Sequence, residues 1–207
     1  MEKQYPTTTN ITIAMITPLA TQSIVLDVPC VEQICEESCA AACLESVCSF
    51  STKKTPRKIL SKNIWKELAN ENCLYQQGRP GTHPLSIVTW AKKKSYFVEL
   101  REERFNNGKG LSWIQACLEN NIPPLVCWSD WGGHWCVITG YISGGTGLPM
   151  HDTLILMDPC NPVGTRSFIN AGKFYLMWFE GQHFERLYYR PIIALSKKNI
   201  LKNIFKD

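Results

Sequence analysis

Apolar positions change their rhythm along this chain. Up to about residue 120 they recur at helical spacings, and beyond it they gather into short runs rich in β-branched and aromatic residues. Ala40, Leu44, Val47 and Cys48 share one face of a segment free of Gly and Pro, which predicts a helix with Ser38 as its N-cap and Cys39 as its first residue. Thr55-Pro56 and Thr82-His83-Pro84 are two further helix starts, each with proline at the tolerated first position. Ile59, Leu60, Ile64 and Leu68 trace the face of the first, and an amphipathic run to about Lys94 follows the second, after a polar turn at 77–81. A fourth helix is predicted over 111–120, ended by Asn120-Asn121 and Pro123-Pro124.

Strands are predicted at 23–28, 96–100, 125–128, 135–141, 153–157, 174–179 and 187–195. The glycines and proline of 143–149 join two of them as a hairpin. Helices first and antiparallel strands second is the order of an α+β domain, an N-terminal helical part packed against a C-terminal antiparallel sheet. The chain divides into a Thr-rich N-terminal tail or edge segment at 1–22, one domain at 23–195, and a basic amphipathic C-terminal tail at 196–207. In that last segment Ile200, Leu201, Ile204 and Phe205 fall on one side, a stripe that favours docking on the body over lying on a membrane.

Composition narrows the classes. The 207 residues suit a single core, and the net charge of +4 comes from 22 basic and 18 acidic residues that are interspersed, so no nucleic-acid surface is expected. No apolar run reaches the roughly eighteen residues of a membrane crossing, so no integral membrane segment is expected either. Several of the ten cysteines sit inside apolar periodic segments, as reduced cysteines do when they serve as small core residues. The apolar run at 11–20 lacks a basic start and is interrupted by Pro18, which disfavours a cleaved secretion signal. A cytoplasmic location, or delivery as an effector, is the expectation.

The candidate chemistry centres on Cys39. At a helix start the unpaired N–H groups and the helix dipole favour a thiolate, the form in which cysteine is a nucleophile. Such a nucleophile needs a base, a group that orients the base, and donors for an oxyanion. His134 follows Gly132-Gly133 and opens a predicted strand, whereas His83, His151 and His183 lie at a helix start or in turns. Asp158 ends the next strand, and in an antiparallel hairpin the start of one strand lies beside the end of the other. Asp158 is therefore placed to hold the His134 tautomer. Gln33, six residues before Cys39, offers an amide donor alongside the Cys39 backbone N–H. Cys35 and Cys43 are rival nucleophiles without a Gln at that spacing, and Cys30, Cys35, Cys39 and Cys43 lack the close ligand pairs of a zinc site. Neither a metal nor a cofactor is expected.

Gln, then Cys at a helix start, then Gly-His-aromatic opening a strand, then Asp-Pro closing the next, resembles the papain-like cysteine peptidase superfamily. The resemblance covers about 25–165 and is nearest to the compact bacterial branch of double-glycine-leader, or bacteriocin-processing, peptidases. It implies a papain-like fold, a protein or peptide substrate, and cleavage through a thioester. By position, Cys39 is the nucleophile, His134 the base, Asp158 the orienting acid and Gln33 the oxyanion donor. The same apparatus serves acyl transferases and deamidases, and a related scaffold can persist as an inactive binding module.

Overall fold

The computed structural model describes residues 23–56, 58–70, 81–129, 133–179 and 187–205. The segment 1–22, the turn residues 77–80, Trp131 and His183 lie outside them. Of the predicted strand at 23–28, only β1 (Ile24–Val25) forms. The chain then makes a tight turn at Glu36–Ser38 and enters helix α1 (Cys39–Thr52), followed by α2 (Lys58–Asn70) and α3 (Pro84–Lys93). Strand β2 (Phe97–Glu102) and helix α4 (Lys109–Glu119) lead into β3 (Leu125–Trp128), β4 (His134–Ile142) and β5 (Thr153–Met157). Strand β6 (Ser167–Asn170), helix α5 (Ala171–Met177), strand β7 (Pro191–Ser196) and helix α6 (Leu201–Ile204) complete the order.

Among the described residues, seven strands form one sheet in the order β2-β7-β3-β4-β5-β6, with β1 pairing the far end of β4. Every pairing is antiparallel. Helix α1 lies between β4 and α2, and is buried nearly all round rather than on one face. Ala40, Ala41 and Ala42 explain this. Three small side chains in the first turns let the backbone come close to its neighbours on both sides, and none of the three is exposed.

Two strand expectations fail for local reasons. The run 174–179 contains most of helix α5, because the Asn170 side chain accepts from the Lys173 N–H as an N-cap. Phe174 and Trp178, four residues apart, then stack at a centroid distance of 5.1 Å. The run 187–195 becomes strand only from Pro191, since Arg190 turns the chain with φ of 47° and lays its guanidinium 3.9 Å over the Tyr175 ring. At the C-terminal end, Leu201 and Phe205 are buried, and Phe205 meets Trp113 edge-on. The amphipathic stripe thus docks on the body.

Strand β1 hands the chain to the stretch that precedes α1, and Gly140 permits that. A Cβ at Gly140 would sit 2.3 Å from the Ile24 carbonyl oxygen. The Leu26 N–H donates to the Thr139 carbonyl at 2.7 Å just beyond. G140A is therefore expected to push β1 off β4, destabilising the domain by about 1–3 kcal/mol in urea unfolding. The Leu26 amide should lose its hydrogen-exchange protection; protection equal to wild type would show that β1 pairing does not depend on this glycine.

Candidate active site

Cys39 is the first residue of α1 and is only 5% exposed. Ser38 occupies the N-cap position, but its hydroxyl does not cap α1. It turns back instead, accepting from the Ile34 and Cys35 N–H groups at 2.9 and 3.0 Å. The loop before Cys39 is stiffened by this, and the first-turn N–H groups of α1 stay clear of the serine.

His134 opens β4 directly after Gly133, whose φ of 102° lies where only glycine is at ease. β4 pairs β5 with Val137 opposite Met157, so one further step places Asp158 beside Cys136 and within diagonal reach of His134. His134 Nε2 and Asp158 Oδ1 are 2.8 Å apart, with side chains 12% and 15% exposed. The same oxygen accepts from the Cys160 N–H at 2.9 Å, which pins the carboxylate. With Nε2 engaged by Asp158, Nδ1 is the nitrogen left for sulfur, and the Cys39 and Cys136 thiols lie near enough to the ring to favour its charged form.

Burial disfavours a charged imidazole, but the hydrogen bonds with Asp158, Cys136 and Cys39 outweigh it and raise the His134 pKa. Burial likewise disfavours the Asp158 carboxylate, yet the hydrogen bond and charge of His134, with the Cys160 N–H, lower its pKa. The two shifts describe one ion pair.

Gln33 reaches this corner through its backbone, its N–H donating to the Pro159 carbonyl at 2.9 Å, next to Asp158. Its side-chain oxygen is enclosed without a hydrogen-bond partner. The rival thiol of Cys43 is fully buried and donates to the Trp135 carbonyl at 3.3 Å, and burial pushes its pKa well up. His83 caps α3 by accepting from the Leu85 N–H, and His151 pairs with the Thr146 hydroxyl.

Two further neighbours border His134: Trp128, whose composition marks it as core or as a wall of the cleft, and Cys136, to which the sequence assigns no role. Cys136 lies two residues along the strand, hence on the same side, and burial pushes its thiol up to about 11 against the opposing hydrogen bond of His134. Trp128 pairs directly across from His134 and walls it. The strand period alone was enough to find Cys136. A cavity of about 770 Å³ lies elsewhere, against the far end of α1, between Lys53, Asn121 and Lys197.

A thiol at a helix start, with an imidazole and a carboxylate at adjacent strand ends of an antiparallel sheet, is the layout of the papain-like cysteine peptidase fold. Known structures bear out that fold. The peptidase domain of Streptococcus ComA, a bi-functional ABC transporter involved in a quorum-sensing pathway, matches with a TM-score of 0.54 at 18% identity, over 83% of this chain and 99% of that one. A double glycine motif protease from an AMS/PCAT transporter, solved with the leader peptide, matches with a TM-score of 0.53 at 14% identity, over 84% and 94%. No protein-family model matches the chain, and no curated protein matches it in sequence.

The ion pair makes stability depend on pH in a defined way. Asp158, with its pKa lowered by folding, contributes stability that is present above the usual value of about 4 and lost as the pH falls through the lowered one. His134, with its pKa raised, contributes stability that is full below about 6.5 and declines as the pH rises above it. The urea-stability difference between wild type and D158N is expected to be about 1.5–3 kcal/mol. It should be largest between about pH 4 and 6.5 and smaller on both sides; a difference that does not vary with pH would show that the pair carries no linked charge.

Proposed function

We propose that the chain is a papain-like cysteine peptidase in which Cys39, His134, Asp158 and Gln33 carry the reaction. The observation that carries this reading is the His134 ring, bonded on Nε2 by Asp158, with the Cys39 thiol among the groups that raise its pKa. A raised His134 pKa supports an imidazolium at neutral pH, which is the counter-ion a thiolate needs. The shared fold with peptidase domains, one of them solved with a peptide bound, supports a peptide as substrate.

In this mechanism the Cys39 sulfur attacks the scissile carbonyl carbon, and the carbonyl oxygen becomes an oxyanion. The Gln33 side-chain amide and the Cys39 backbone N–H donate to it. His134 then gives its proton to the leaving amine, and a thioester to Cys39 remains. Water, deprotonated by His134, attacks the thioester and restores the thiol. Asp158 holds the ring so that one nitrogen faces the sulfur throughout.

Cleavage of a peptide library, read by mass spectrometry, tests the proposal. C39A should abolish turnover. Q33A should lower kcat about 10²–10³-fold with KM little changed, because an oxyanion donor acts on the transition state rather than on bound substrate. Undiminished cleavage by C39A would remove the nucleophile, and a Q33A defect confined to KM would make Gln33 a binding residue instead.

A further inference from the structure

We infer that the corner holding His134 and Asp158 is also a binding site for a divalent cation of the zinc class, completed by the thiol of Cys160. A ring nitrogen of His134, a carboxylate oxygen of Asp158 and the Cys160 sulfur all lie within 4.8 Å of one another. Zinc holds N, O and S ligands at about 2.0–2.3 Å, so a side-chain adjustment of roughly 1 Å, the sulfur moving in and the His134–Asp158 hydrogen bond opening around the ion, brings all three onto it. Imidazole, carboxylate and thiolate together suit zinc or cobalt, whereas magnesium and calcium seek oxygen. The fourth position is left to water.

The frame around these ligands is already fixed. The register of β4 against β5 sets His134 and Asp158 side by side. The turn after Asp158 is held by the Cys160 N–H on Oδ1 at 2.9 Å and by the Asn161 N–H on the Asp158 carbonyl at 3.1 Å. The Gln33 N–H on the Pro159 carbonyl ties the same turn to the loop before α1. Cys160 is exposed while its two partners are largely covered, so the ion enters from solvent past the sulfur.

Binding is balanced in charge. The His134 imidazolium and the Cys160 thiol each release a proton to solvent, and the carboxylate and thiolate neutralise the dication. A metal on His134 removes the ring from its work as acid and base, so the ion inhibits the enzyme. The inhibition rests on the peptidase reading given above, and the binding does not.

Cobalt(II) added to the full chain tests the site without any substrate. In the C39S variant, which removes one of the two other thiols beside His134 and leaves the fully buried Cys136, cobalt should produce a near-ultraviolet thiolate-to-cobalt charge-transfer band and tetrahedral visible bands, and zinc should displace them. In C39S/C160S the charge-transfer band should vanish and zinc affinity should fall by at least about tenfold. No band in C39S, or an unchanged band in C39S/C160S, overturns the site. For the inhibition, zinc is titrated against peptide cleavage by wild type and C160S, each referred to its own rate in chelator. C160S should need at least about tenfold more zinc, and equal sensitivity overturns the link to the reaction. A cobalt band in a chain that cleaves no peptide upholds the metal site and sets aside the peptidase reading.

Discussion

The hydrogen bond between His134 and Asp158 depends on the pairing of β4 with β5, and most of the fold serves that pairing. β4 is flanked by β3 and β1 on one edge and by β5 on the other, so its register is set from both sides. A slip of one residue would turn His134 to the opposite side of the sheet, away from α1. Gly133 allows the chain to enter β4 at the needed angle, and the turn after Asp158 fixes the carboxylate. The resulting pair favours the charged imidazole beside the helix start that carries Cys39.

Helix α1 answers the sheet from the other side. Its alanines let it sit close to β4, and the loop before its N-terminus has its own amides tied up by Ser38. The sequence pointed to Ser38 as the cap of α1, and the serine stands at that position while bonding backward. Local propensity located the residue but not the direction of its hydroxyl, because that direction is chosen by the amides of Ile34 and Cys35 coming back on themselves.

Legibility followed the same division elsewhere. The helix at Cys39, the strand pair around the 143–149 hairpin and the juxtaposition of His134 with Asp158 were readable from spacing and from the antiparallel rule. The aromatic run at 174–179 was not, because a β-rich composition concealed an i, i+4 pair, Phe174 and Trp178, and a capping Asn170. Cys160 gave no sign of its place, since the turn after Asp158 is held by a tertiary hydrogen bond from Gln33 as well as by the local one from Asn161. Cys136 is legible from the strand period, two residues from His134 and on the same side, although its apolar neighbours give it the setting of a core thiol. The result is a histidine bordered by three sulfurs of differing exposure, Cys39, Cys136 and Cys160, each answering to a different element of the fold.

The central claim is that His134 makes Cys39 chemically unlike the other cysteines. Substoichiometric iodoacetamide at neutral pH, with each site followed by peptide mass spectrometry, measures this directly. Cys39 should be alkylated well ahead of the other nine cysteines, including the more exposed Cys160, and should lose that lead in H134A. Labelling of Cys39 no faster than its neighbours, or a lead that survives the loss of His134, would contradict the account.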